Sequence, residues 1–222
     1  MDLEGLRMKA MTSVWDPTGG WSTPLPALDS PSTLVLVFGD RVVADDPRPL
    51  REIAASFPTS VVIGCSTAGQ ITGAILRDDV CSVAIMRFDR IRLEKVGADV
   101  SSSADSRAAG EALGAGLAAD DLRSIFVLSD GLTVNGSELV AGLIEQVGSG
   151  VVVTGGLAGE LTGGLTRPTD RSTDVRPIDR PIDRATDRRL DKSIDRRRLI
   201  KRRTYSKTVN QLAVAQRLTN SP

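Results

Sequence analysis

The segment that most constrains this chain is Thr33-Leu-Val-Leu-Val-Phe-Gly39, an apolar run with no polar side chain between its first residue and the closing glycine. A strand with one face in water alternates apolar and polar residues, whereas an unbroken run suits a strand covered on both faces. Such a strand needs a layer on each side, and the residues after it can supply both. Pro47–Ser56 places Leu50, Ile53, Ala54 and Phe57 at helical spacing before Pro58 ends the pattern. A second buried strand is expected at 60–64 and another at 124–129, with a last one at 150–154. Helices are expected at 104–119, which is rich in Ala and Leu, and at 138–147. Two further strands, 80–88 and 91–96, meet at Asp89-Arg90, a joint short enough to predict an antiparallel hairpin. Alternating strands and helices direct the fold to the α/β class, a mixed sheet with flanking helices.

The flanks read differently. Residues 1–32 turn rich in Pro, Gly and Ser after Trp15 and are expected to form an irregular lead-in. The strand–helix alternation ends at Glu160. Aspartates then recur at 170, 174, 179, 183, 187, 191 and 195, nearly every fourth residue, which in a helix would stack like charges in one stripe. Pro168, Pro177 and Pro181 oppose a helix in the first half of that stretch, and few large apolar residues are present to offset the entropy of ordering it. Residues 161–222 are therefore expected to be a disordered low-complexity tail, and 33–160 the folded unit. A DNA tetramer ATCG read in threes encodes Ile-Asp-Arg-Ser, so the period is expected to reflect a DNA repeat. A coding sequence without such tetramers would contradict this origin.

Composition narrows the chemistry. Lys plus Arg equal Asp plus Glu at 28 each. That balance hides an acidic body (12 basic against 21 acidic residues over 1–160, −9) and a basic tail (16 against 7, +9). The arginine clusters at 196–198 and 201–203 suit phosphate contacts, but interleaved aspartates and a single Tyr205 argue against a nucleic-acid partner. The chain holds no histidine, which excludes a Ser-His-Asp triad and the commonest zinc ligand. Its two cysteines, Cys65 and Cys81, form no CxxC pair. A cytoplasmic protein without membrane insertion is expected, since no apolar run reaches about eighteen residues and the N-terminus lacks the apolar stretch of a signal peptide. No paired carboxylates, metal cluster or phosphate-binding loop stands out, and no cofactor is expected.

Three glycine-containing turns each follow a buried strand: 64–69 (GCSTAG), 129–136 (SDGLTVNG) and 155–159 (GGLAG). Positions just beyond the carboxyl ends of strands are the usual ligand positions of an open α/β sheet, and glycines there let backbone N–H groups approach a ligand. Cys65 reads either as a small packing residue or as a ligand contact. A nucleophilic role would need a helix N-terminus to lower its pKa and a base, for which the chain offers no histidine but only Asp or Lys side chains. Ser66 and Thr67 read as ligand donors or helix caps, and Gly69 as the close of that turn. Asp130 reads as a turn-former before Gly131 or as a carboxylate for a ligand ammonium group, and Asn135 as an N-cap or a turn residue with Gly136, with Ser137 also a candidate cap for the following helix. Gly155 and Gly156 read as sites of close backbone packing.

The stretches VVIGCSTAGQI (61–71), VLSDGLTVNGSELVAGL (127–143) and VVVTGGLAGE (151–160), in this order and spacing, resemble the hallmark motifs of the FIST domain, a sensory module found beside signalling domains. The resemblance covers 33–160 and implies binding of a small molecule, amino acids among the candidates, without turnover. It also implies signalling proteins such as kinases or receptors as partners. Cys65, Ser66, Thr67, Gly69, Asp130, Asn135 and Gly156 are the ligand-binding residues it implies. The family pattern has an acidic residue where Gln70 stands, and continues as GGLAGDG where this chain has Glu160 and Leu161. The expectation is a truncated sensory domain; the competing expectations are a non-functional product of a frameshifted gene and, third, a Cys-dependent enzyme.

Overall fold

The computed structural model describes residues 8–39, 43, 46–158 and 211–218. The apolar run is an inner strand, as its composition requires: β3 (Thr33–Gly39) lies between β4 (Val61–Ser66), to which it is parallel, and β7 (Cys81–Phe88), to which it is antiparallel. Two more strands, β1 (Met8–Asp16) and β2 (Gly20–Trp21), extend this first sheet in the order β2-β1-β7-β3-β4. A short hairpin of β5 (Gln70–Thr72) and β6 (Ile75–Arg77) stands apart from it. The second sheet has the order β10-β9-β11-β8, formed by β8 (Ile91–Ala98), β9 (Leu122–Asp130), β10 (Val152–Ala158) and β11 (Gln211–Leu218). Helices α1 (Arg48–Ser56), α2 (Ser106–Leu117) and α3 (Gly136–Val147), with a 3-10 turn at Ser103–Asp105 before α2, complete the described elements.

Side chains alternate across β3 and so define the layers. Val35 and Val37 face one way, into a core with Ile53 and Phe57 at α1, Val83 and Ile85 from β7, and Trp15 from β1. Leu34, Leu36 and Phe38 face the other way, into a core shared with Ile91 and Leu93 of β8, Leu128 of β9 and Ala158 of β10. The sheets therefore pack on each other through this middle core. On the far side of the second sheet, Ile125 and Val127 of β9 and Ala215 of β11 meet Leu113 and Leu117 of α2 and Leu139 and Leu143 of α3. The layers run helix, sheet, sheet, helices, and each sheet is mixed. Burying large aliphatic side chains at roughly 1.5–3 kcal/mol each is what holds such a stack together.

Within it are two strand–helix–strand units. β3–α1–β4 builds the parallel pair of the first sheet, and β9–α3–β10 that of the second. Helices α2 and α3 approach very closely. A Cβ on Gly110 would lie 2.0 Å from the Leu139 carbonyl oxygen, and one on Gly142 would lie 2.2 Å from that of Arg107. Only glycine permits the two backbones to touch there.

Three expectations are corrected. The lead-in is not irregular throughout, because β1 pairs with β7 over eight residues, Met8↔Phe88 to Trp15↔Cys81. The joint at Asp89-Arg90 makes no hairpin: β7 belongs to the first sheet and β8 to the second, so the chain crosses between layers there. Residues 211–218, expected to be disordered, form the inner strand β11, antiparallel to both β8 and β9. Disorder over 161–210 and 219–222, like the basic clusters at 196–203, lies outside the described residues.

Candidate functional site

The middle core contains Cys65 near the end of β4, Leu128 near the end of β9 and Ala158 at the end of β10. That core also reaches Leu34 and Val61 at the other ends of β3 and β4, so it runs the length of the strands, and two of the glycine turns expected to hold a ligand follow the carboxyl ends of β4 and β9.

The first turn, 64–69, is built around a buried glutamine. Thr67 donates its N–H to the Gly39 carbonyl at 2.9 Å, which ties the turn to the end of β3. The Gln70 amide donates to Thr67 Oγ1 at 2.8 Å, and Gln70 is only 2% exposed. Ser66 and Thr67 are half-buried and Gly69 closes the turn against the β5–β6 hairpin, where Leu76 Cδ1 and Asp78 Oδ1 would stand 3.1 and 3.2 Å from an added Cβ. The turn leads into the hairpin and not into a helix, so neither Ser66 nor Thr67 caps one. Cys65 likewise has no helix dipole beside it. It sits inside β4, 3% exposed, and burial pushes its thiol up to about 11. That burial favours the neutral thiol at neutral pH.

The second turn, 130–136, uses its carboxylate internally. Asp130 is 5% exposed. Its Oδ1 accepts the Leu132 N–H at 2.9 Å and its Oδ2 accepts the Thr133 hydroxyl. This is the turn-forming arrangement, with each oxygen retaining further acceptor capacity. Asn135 caps α3, its Oδ1 accepting from the N–H groups of Ser137 at 3.2 Å and Glu138 at 3.3 Å. Its own N–H donates to Ser106 Oγ at 2.9 Å, and that fully buried hydroxyl donates to the Ser103 carbonyl at 2.8 Å. Ser106 therefore fixes the start of α2 to the start of α3. Its role was not legible in the sequence, since a serine within an Ala-rich stretch carries no pattern.

The third turn separates its glycines by role. Gly155 has φ +145° and an added Cβ would lie 1.9 Å from the Val127 carbonyl oxygen, so it serves the close packing expected of it. Gly156 is exposed with nothing within 4 Å of an added Cβ, so close packing does not explain it. The Gly131 N–H donates to the Ala158 carbonyl at 2.9 Å, which joins the second and third turns. The structure thus links Asp130 and Gly131 with the end of β10, while Asn135 bonds to the starts of the two helices. Thr67 and Gln70 form a separate network around the end of β4. Among the described residues, no group of three or more His, Cys, Asp or Glu is placed to hold a metal ion, and no helix is long and apolar enough to cross a membrane.

Residues 33–170 match the family model of the FIST N domain. No curated protein matches the chain.

Proposed function

The chain belongs to the FIST N domain family, sensory domains associated with signal transduction, and from that premise we propose that it binds a small polar ligand, an amino acid or a close analogue, without turning it over. The observation that supports the reading is that segments of small and hydroxyl residues stand at the carboxyl ends of β4, β9 and β10, the usual ligand positions of an α/β sheet. In this reading Ser66, Thr67 and Gly69 on one side and Asp130, Asn135 and Gly156 on the other contact the ligand, with Cys65 packing beneath. Asp130 already holds the 130–133 turn, and its remaining lone pairs accept from a ligand ammonium group. The bound state is passed to signalling proteins such as kinases or receptors in the cytoplasm.

Thermal unfolding of the whole chain with a panel of free amino acids tests this. A ligand at one hundred times its Kd adds about 2.7 kcal/mol to stability, and the shift should disappear in Ser66→Ala and Asp130→Asn. A panel that leaves the midpoint unmoved, or variants that shift as much as the unsubstituted chain, would refute it.

A further inference from the structure

The strands β8 and β9 are parallel and stand one strand-width apart, with α2 connecting them. The slot between them has the middle core on one face and the α2–α3 core on the other. Left empty, it would expose two facing rows of backbone N–H and C=O groups in a largely apolar setting. It is filled by β11, which pairs with β8 from Gln211↔Ala98 to Leu218↔Ile91 and with β9 from Gln211↔Ser129 to Arg217↔Leu122.

The register is pinned by side chains of the slot. Ser124 Oγ donates to Gln216 Oε1 at 3.1 Å. Arg217 Nη2 donates to the Leu117 carbonyl at 3.0 Å and lies 2.8 Å from Glu94 Oε2, while Nη1 is 3.9 Å from Asp121 Oδ1. Ala215 is fully buried against the helices. Each of these contacts comes from β8, β9, α2 or the turn after α2. None needs the chain that leads into β11.

That lead is long. Fifty-two residues separate Ala158 from Gln211, a connection that extended would reach on the order of 180 Å. We propose that the β8–β9 slot is a strand-acceptor site for the C-terminal segment of a second copy of this chain, and that two copies exchange Gln211–Leu218 reciprocally. The ladder and the Ser124 and Arg217 contacts are the same whichever chain supplies the strand. The balance between the two states is set by the effective concentration of the tethered strand, which reaches the millimolar range for short flexible connections and falls as they lengthen. The two interfaces are equivalent, so the assembly closes as a two-fold dimer.

The test uses whole chains in which Cys65 and Cys81 are replaced by alanine and one new cysteine is introduced, Ser124→Cys in one and Gln216→Cys in the other, unfolded, mixed and refolded together under oxidising conditions at about 1 µM and about 1 mM, concentrations that bracket the effective one. A control chain carries both new cysteines. The expected result is a disulfide-linked dimer joining the two kinds of chain, abundant at the higher concentration and scarce at the lower, while the control closes internally when dilute. Internal closure of the control at both concentrations, with no linked dimer from the mixed chains, would overturn the proposal. So would a dimer seen by light scattering that lacks the cross-link, because the copies would then meet at another surface. Failure of the control to close would overturn it by removing the strand from the slot.

Discussion

Replacing Gly110 by alanine reverses the usual sign of a glycine-to-alanine change. In a helix interior alanine is better than glycine by about 1 kcal/mol, because it restricts the unfolded backbone and loses no side-chain entropy on folding. At Gly110 the added Cβ would lie 2.0 Å from the Leu139 carbonyl oxygen and 2.9 Å from the Leu143 nitrogen. Both atoms are backbone, so no rotamer change relieves the contact and α3 itself must move away from α2. Overpacking of this kind costs about 1–3 kcal/mol, and a backbone-to-backbone clash belongs at the upper end. The net expectation is a loss of about 2 kcal/mol, which for a chain of this size lowers the thermal midpoint by roughly 4–8 °C. Gly116→Ala is the control. It lies in the same helix, but its Cβ would meet only the Val96 side chain, Cγ1 at 3.3 Å and Cβ at 3.8 Å, and no backbone atom of another element, so that variant should be neutral or gain up to about 1 kcal/mol. Urea unfolding followed by far-ultraviolet circular dichroism measures both. A Gly110→Ala protein as stable as the unsubstituted chain, or a Gly116→Ala protein equally weakened, would refute the close helix contact.

Two further outcomes are expected. Asn135→Ala removes the acceptor for the Ser137 and Glu138 N–H groups and should cost about 0.5–2 kcal/mol in the same urea experiment, whereas Asn135→Asp should retain most of the stability. The buried thiols of Cys65 and Cys81 are pushed up by burial, to about 11 and about 12, from an ordinary value of 9.0. A raised folded-state value means that the neutral thiol stabilises the fold below pH 9 and that this contribution is lost as pH rises through 9 toward 11 or 12. Each pH unit in that window removes up to about 1.4 kcal/mol per thiol, and Cys65→Ala with Cys81→Ala should flatten the decline measured by urea unfolding at stepped pH.

What was legible in the sequence came from contrast along the chain. The apolar run at 33–39, the Leu50–Ile53–Phe57 spacing and the Asn135 cap each announce themselves locally, and each stands where the pattern placed it. The strand β1 was hidden because only Ser13, Val14 and Trp15 of its nine residues are buried, and its partner β7 lies some seventy residues away. The crossing at Asp89-Arg90 was hidden because a short joint between two strands is compatible with pairing or with a change of layer. Only the apolar partners of Phe88 and Ile91, drawn together in the middle core, decide between them.

The glycine turns show how far residue type alone reaches toward a site. Gly155 and Gly156 are identical in sequence terms, yet a difference of one residue along an edge strand puts one against the Val127 carbonyl and leaves the other open. Asp130 offered two roles, and its bonds to Leu132 and Thr133 supply the turn-forming one without exhausting its oxygens. Strand β11 was hidden for a different reason. Gln-Leu-Ala-Val-Ala-Gln-Arg-Leu comes after a long charged stretch, and although Asn210 precedes it and Asn220-Ser221-Pro222 follow, it read as the end of that stretch. Its identity as a strand is conferred by the slot, where two parallel neighbours present edges that this antiparallel segment completes. A segment defined by its acceptor more than by its own pattern is also one that a second copy can supply, since everything that positions it is present before it arrives.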